Sequence, residues 1–215
     1  MIKRGLILLV VVGAAIGVGT GFAATLGVSS HHLWAGNQAL TKATCTLTGA
    51  TSDTYVDENK KTQSFGTGAS LITEPDAGKQ KQVLVYFDLA GCSPALQSTW
   101  GADTATLSLR ITTAPTASRT LTVTPLTSSF TSSTTWNGAP GIAAAATTTF
   151  TTGTTSNVTK SIPVTVDLDD WIKGNSTNYG WRIADLGGGT TAYQTTMSSS
   201  NAASNKPTLV INYEK

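Results

Sequence analysis

Thr104-Ala105-Thr106-Leu107-Ser108-Leu109-Arg110-Ile111-Thr112 alternates without a break. Ala105, Leu107, Leu109 and Ile111 fall on one side, and Thr, Ser and Arg fall on the other. A period of two marks a strand with one face in a core and one in water. Arg119 to Leu126 repeats the pattern with Leu121 and Val123. Upstream, Val83 to Leu89 sets Val83, Val85 and Phe87 on one face and Leu84 and Tyr86 on the other, as in a strand buried on both sides. Further runs lie at Asp53–Asp57, Ser70–Ile72, Ile162–Leu168, Tyr179–Ala184, Ala192–Met197 and Thr208–Tyr213. Gly66-Thr67-Gly68 and Pro75-Asp76-Ala77-Gly78 supply turns between them. About ten short strands with Gly and Pro between them predict an all-β, antiparallel two-sheet jelly-roll sandwich. One short helix is expected at Asp167–Gly174, with carboxylates at its start and a closing Gly. Trp171 within it is expected to plug an end of the sandwich.

Composition agrees. Only 12% of the 215 residues are charged, and polarity comes from Thr and Ser instead. β-branched Thr suits a pleated, half-exposed strand. Lys3 and Arg4 account for the whole net charge of +2. The remaining chain is neutral, which argues against nucleic-acid binding, where clustered cations must neutralise phosphates.

Lys3-Arg4, the apolar run from Gly5 to Val18 and the small residues ending at Ala23-Ala24 have the layout of a secretory signal peptide over residues 1–24. If it stays uncleaved, the same run is the chain's one route into a membrane. Either way the rest is expected outside the cell. Cys45 and Cys92 are the two cysteines, and export favours their pairing. Such a bridge, over about 47 residues, stabilises by roughly 3–4 kcal/mol in the chain-entropy model. Residues 25–50 read as a lead-in segment with short strand-like runs, and residues 51–215 as the sandwich domain. Whether the lead-in packs on the sandwich or tethers it is open at this level.

Several pieces, in order, resemble the strands of DNRLRE domains, which are similar to carbohydrate-binding module family 96. They are Asp53-Thr54-Tyr55-Val56-Asp57, Val85-Tyr86-Phe87-Asp88-Leu89, Thr134-Thr135-Trp136-Asn137-Gly138, Tyr179-Gly180-Trp181-Arg182-Ile183 and Lys206-Pro207-Thr208-Leu209-Val210. The resemblance spans residues 52–214. It implies a jelly-roll sandwich, an extracellular setting and binding of a polysaccharide, with acidic alginate-like polymers as one class. Phe130 stands where such domains usually carry a Trp, and the neighbouring acid is missing. The lead-in resembles the start of many exported actinobacterial proteins.

No catalytic residue is expected. The histidines, His31 and His32, lie in the lead-in, away from any nucleophile of the sandwich. Asp167 and Asp169 are accounted for by the helix start. Asp53, Asp57 and Asn59 place oxygen ligands close together, so they are the candidate site for a structural calcium; no cofactor is required. For ligand contacts, Trp136, Trp171 and Trp181 are expected to pack. Trp100, in the loop Ser93–Gly101, is the candidate stacking platform, and Tyr193, in the late strand Ala192–Met197, is expected to face solvent as a second ligand residue. Lys81, Arg110 and Arg119 are the candidate cations. Arg110 and Arg119, on neighbouring strands, are expected to share a face that holds carboxylates bidentately. The partner is thus expected to be an extracellular or cell-wall polysaccharide. The rival is a non-catalytic structural or adhesive protein that contacts cell-surface proteins. A sheet face lined with aromatics and arginines favours the first, and a flat hydroxyl-lined face favours the second.

Overall fold

The computed structural model describes residues 41–215; the signal-peptide segment, His31, His32 and Trp34 lie outside the described residues. The described residues form eleven strands in two antiparallel sheets. The strands are β1 (Lys42–Thr48), β2 (Ser52–Asp57), β3 (Ser70–Thr73), β4 (Lys81–Tyr86), β5 (Ala102–Thr113), β6 (Thr120–Pro125), β7 (Thr148–Thr151), β8 (Val158–Pro163), β9 (Trp181–Asp185), β10 (Thr195–Ser198) and β11 (Thr208–Glu214). One helix, α1 (Thr165–Lys173), joins β8 to β9. The expected all-β, two-sheet sandwich is what the chain builds.

β5 organises the larger sheet. β11 pairs with its first half, β10 with its far end and β8 along its other edge. β1 adds beyond β11, and β3 beyond β10. The smaller sheet runs β2-β4-β9-β6-β7. Alternation carries this arrangement: Ala105, Leu107, Leu109 and Ile111 of β5 meet Val83, Val85, Leu121, Val123 and Ile183 of the other sheet in one core.

β4 is buried on both faces, as expected, and the structure supplies the reason. Residues 126–147 cross the outer face of the smaller sheet, where Phe130, Trp136 and Tyr179 pack on Val56, Leu84 and Leu126. Trp171 and Trp181 are core residues, with ring centroids 4.7 Å apart.

Three expectations need correction. The lead-in does not end at residue 50: Lys42–Thr48 is an edge strand paired along its whole length with β11. Cys45 on that strand bridges to Cys92 in the loop after β4, so the expected disulfide is present. Ile162–Leu168 is not one strand: β8 stops at Pro163 and α1 begins at Thr165. Asp167 does not cap that helix; it is buried in the first turn and bonds to Trp181 and Thr147. At the other end Gly174, in the left-handed conformation, closes α1 as expected.

Candidate functional site

Trp100 sits on the loop between β4 and β5, its turn closed by Trp100 N donating to Gln97 O. One ring face stacks on Tyr213 of β11, with centroids 5.4 Å apart and planes 16° apart. It is half-buried rather than freely exposed. The rest of the side chain lines an open trough of about 510 Å³ at one end of the sandwich.

Two elements wall this trough. The start of β5 brings Gly101, Ala102 and Asp103, and α1 brings Thr165, Asp169 and Lys173. Stitching is by hydrogen bonds: Ala105 N donates to Thr165 Oγ1 at 2.9 Å, and Ala102 N to Asp169 Oδ1 at 3.2 Å. At Gly101 the helix comes so close that a Cβ would lie 3.1 Å from Asp169 Oδ1. Lys173 Nζ donates to Asp169 Oδ2 at 2.6 Å, an i,i+4 pair on the helix surface. Glu214 and Lys215 close the rim. The trough therefore joins an indole, three carboxylates and two ammonium groups. Vicinal hydroxyls donate to carboxylates and accept from ammonium groups, and an indole offers an apolar surface. An apolar wall with a few convergent polar groups is the general make-up of a small-ligand or saccharide site.

The other expected ligand residues are not gathered here. Arg119, at the start of β6, binds Asp185 of β9 bidentately, Nε to Oδ2 at 2.6 Å and Nη2 to Oδ1 at 3.0 Å. Its Nη2 also donates to Gly188 O. The Asp185 hydrogen bonds raise the Arg119 pKa further above its ordinary value. The same guanidinium lies 4.5 Å from the ring centre of Tyr193. Tyr193 belongs to a 3-10 turn, Thr191–Tyr193, and not to a strand. Gly189 presses against its ring edge. Arg119 and Tyr193 thus hold the glycine-rich loop 186–190 and each other. Lys81 Nζ pairs with the buried Glu74.

Arg110 lies on the outer face of β5, opposite Thr159 of β8. It does not share a face with Arg119, because the chain crosses from the larger sheet to the smaller between β5 and β6.

Of the expected calcium ligands, Asp53 is likewise apart from Asp57 and Asn59. Asp53 and Asp57, four residues along an extended strand, are separated by about 13 Å. Asp53 Oδ2 accepts from Ser200 N at 2.6 Å and Ser200 Oγ at 2.8 Å. Burial raises the Asp53 pKa. Asp57 Oδ1 accepts from Asn59 N at 2.9 Å and so caps a 3-10 turn. Among the described residues no three His, Cys, Asp or Glu side chains converge as a metal site would require.

Asp169 is accounted for in the sequence only by the helix start and Lys173 is missed there, although their i,i+4 spacing is a signal; Asp103 and Glu214 carry none. A register shift between Asn212 and Tyr213 sets Tyr213 opposite Ala102 and leaves Asp103 out of the ladder, where it lines the trough with Glu214.

The model of carbohydrate-binding module family 96 matches residues 44–213, almost the whole sandwich. The chain belongs to that family. The match includes β1 from Thr44 onward, in line with that strand's place in the sheet. No curated protein matches this family 96 module.

Proposed function

We propose that this family 96 module is exported and binds a polysaccharide outside the cell through the Trp100 trough. The observation that carries the reading is the meeting of the Trp100 side chain with Asp103, Asp169, Lys173 and Glu214 in one open trough. The Cys45–Cys92 bridge supports export, since disulfides persist in oxidising compartments.

An acidic, alginate-like polymer needs cations free to meet its carboxylates. Arg119 and Lys81 are already paired, and Lys173 is engaged by Asp169. Carboxylates outnumber ammonium groups in the trough. The geometry therefore favours a neutral, hydroxyl-rich polymer over a uronate. The test is affinity electrophoresis of the chain in gels containing alginate or a neutral glucan. Retardation by the glucan, lost in Trp100→Ala, is the expected result. Retardation by neither polymer would sink the reading.

One observation favours a second reading, a structural or adhesive protein of the cell surface. Among the described residues nothing covers the outer face of the larger sheet, and its hydroxyls, at Thr44, Thr46, Thr48, Thr104 and Ser161 among others, form a flat surface of a kind that protein partners also meet. Cross-linking to cell-surface proteins without any glycan retardation would establish it.

A further inference from the structure

The two outer faces of the sandwich are unlike. Thr54, Val56, Leu84, Thr124 and Ala184 point out of the smaller sheet and are buried, with Phe130, Trp136 and Tyr179 packed over Val56 and Leu84. The larger sheet has no such roof among the described residues, and Thr44, Thr46, Thr104, Asn212, Thr159 and Ser161 are exposed.

Strand register sets these side chains in rows. Thr48, Thr208, Ser108 and Ser161 form one row across β1, β11, β5 and β8. Thr46, Val210, Thr106 and Pro163 form the next. Thr44, Asn212 and Thr104 form the third. Spacing is about 4.8 Å between strands and about 6.7 Å along them. The third row is tied together: Thr44 Oγ1 donates to Asn212 Oδ1 at 2.7 Å, and Asn212 Nδ2 donates to Thr104 Oγ1 at 2.9 Å. Those bonds fix the amide and leave the Thr104 hydroxyl proton to point away from the sheet. Side chains ordered beforehand lose little entropy when a ligand arrives.

This row abuts the trough. Asp103 precedes Thr104, and Glu214 stands two residues beyond Asn212 on the same face. Charges occur only at the margins of the grid, with Lys42 opposite Glu214 at one end and Arg110 at the other.

We infer that the outer face of the larger sheet continues the trough as a hydrogen-bonding track for successive units of an uncharged polysaccharide. Hydroxyls that both donate and accept match sugar hydroxyls, and an ion-free grid has nothing to balance a row of carboxylates. The inference rests on the trough reading and extends it from one or two sugars to a chain.

The test compares a neutral glucan trisaccharide and octasaccharide by calorimetry on the full chain. Wild type is expected to bind the octasaccharide more tightly. Asn212→Ala, and separately Thr46→Val with Thr106→Val, should weaken the octasaccharide by about three- to tenfold and leave the trisaccharide unchanged. Trp100→Ala should weaken both. An unchanged melting temperature checks that the grid variants fold.

If the grid variants bind both lengths like wild type while Trp100→Ala does not, the track is overturned and the trough stands. If no variant nor wild type binds either oligosaccharide, both fall. Protein contacts or self-association lost on changing the same grid would then assign the face to a protein partner.

Discussion

Trp181 donates its indole N–H to Asp167 Oδ2 at 2.6 Å, and both residues are buried. The bond fastens α1 to β9 through the core. Asp167 Oδ1 also accepts from Thr147 Oγ1 at 2.6 Å, which anchors the end of the roof over the smaller sheet. One carboxylate thus ties three segments. Asp167→Ala leaves two donors unsatisfied and is expected to cost about 3 kcal/mol, read as a lowered urea midpoint. Asp167→Asn keeps an acceptor and should cost less.

Burial raises the pKa of Asp167 and of Asp53, against the opposing pull of their hydrogen bonds. A carboxyl whose folded pKa is raised contributes stability that is complete below its unfolded pKa and is lost as pH rises through its folded pKa. The window lies above the ordinary aspartate range. Thermal melts from pH 7 down through that window should therefore show a rise in stability. Asp167→Asn with Asp53→Asn should flatten it. A steady fall with acid in the wild type would contradict the assignment.

Trp100 rests on Tyr213, so its removal should both uncover the end of the core and empty the trough wall. Trp100→Ala is expected to lower stability by about 1–3 kcal/mol and abolish glycan retardation. Trp100→Phe should restore most of the stability and only part of the binding. Stability and binding restored in equal measure would mean that Trp100 only packs.

Arg119 and Asp185 form a pair whose acid is 1% exposed. Arg119→Ala strands that carboxylate and is expected to cost about 3 kcal/mol by denaturant titration. Glycan retardation should be unchanged, because neither residue lines the trough. Lost retardation at intact stability would restore Arg119 as a ligand residue.

Cys45→Ser with Cys92→Ser should lower stability by about 3–4 kcal/mol in the chain-entropy model. Reductant should do the same to wild type. Hydrogen exchange is expected to quicken first in β1, the edge strand that the bridge secures.

β5 was legible because each of its inward residues is apolar and each outward one polar. β7 and β8 were not. They are edge strands in mostly polar runs, where Phe150 is the one apolar residue of β7 and only Val158 and Ile162 of β8 turn inward with apolar side chains. Ile162–Leu168 misled because Val164 and Val166 alternate with Pro163 and Thr165. Helical spacing lay beneath, for Val164, Leu168, Trp171 and Ile172 are the buried set, whereas Val166 is 66% exposed. Trp100 was found from its loop position. Asp103 follows it within three residues, but Asp169 and Glu214 come from distant stretches that only the fold brings to it. Arg119 and Lys81 were read as free cations because a sequence does not reveal the acid that pairs with each across strands.

The pairing of β1 with β11 has a mechanical side. Lys42 lies opposite Glu214, so chain entering at residue 41 meets the sheet beside the trough rim. Tension arriving from residues before 41 would peel β1 away like a zip, one hydrogen-bonded pair at a time. The peel stops at Cys45, where a covalent bond carries the load across to Cys92 and into the body behind β4. Only Thr41, Lys42, Ala43 and Thr44 can yield before then, so a module tugged by its upstream chain keeps Cys45–Thr48 of β1 and the ten other described strands in place under strain.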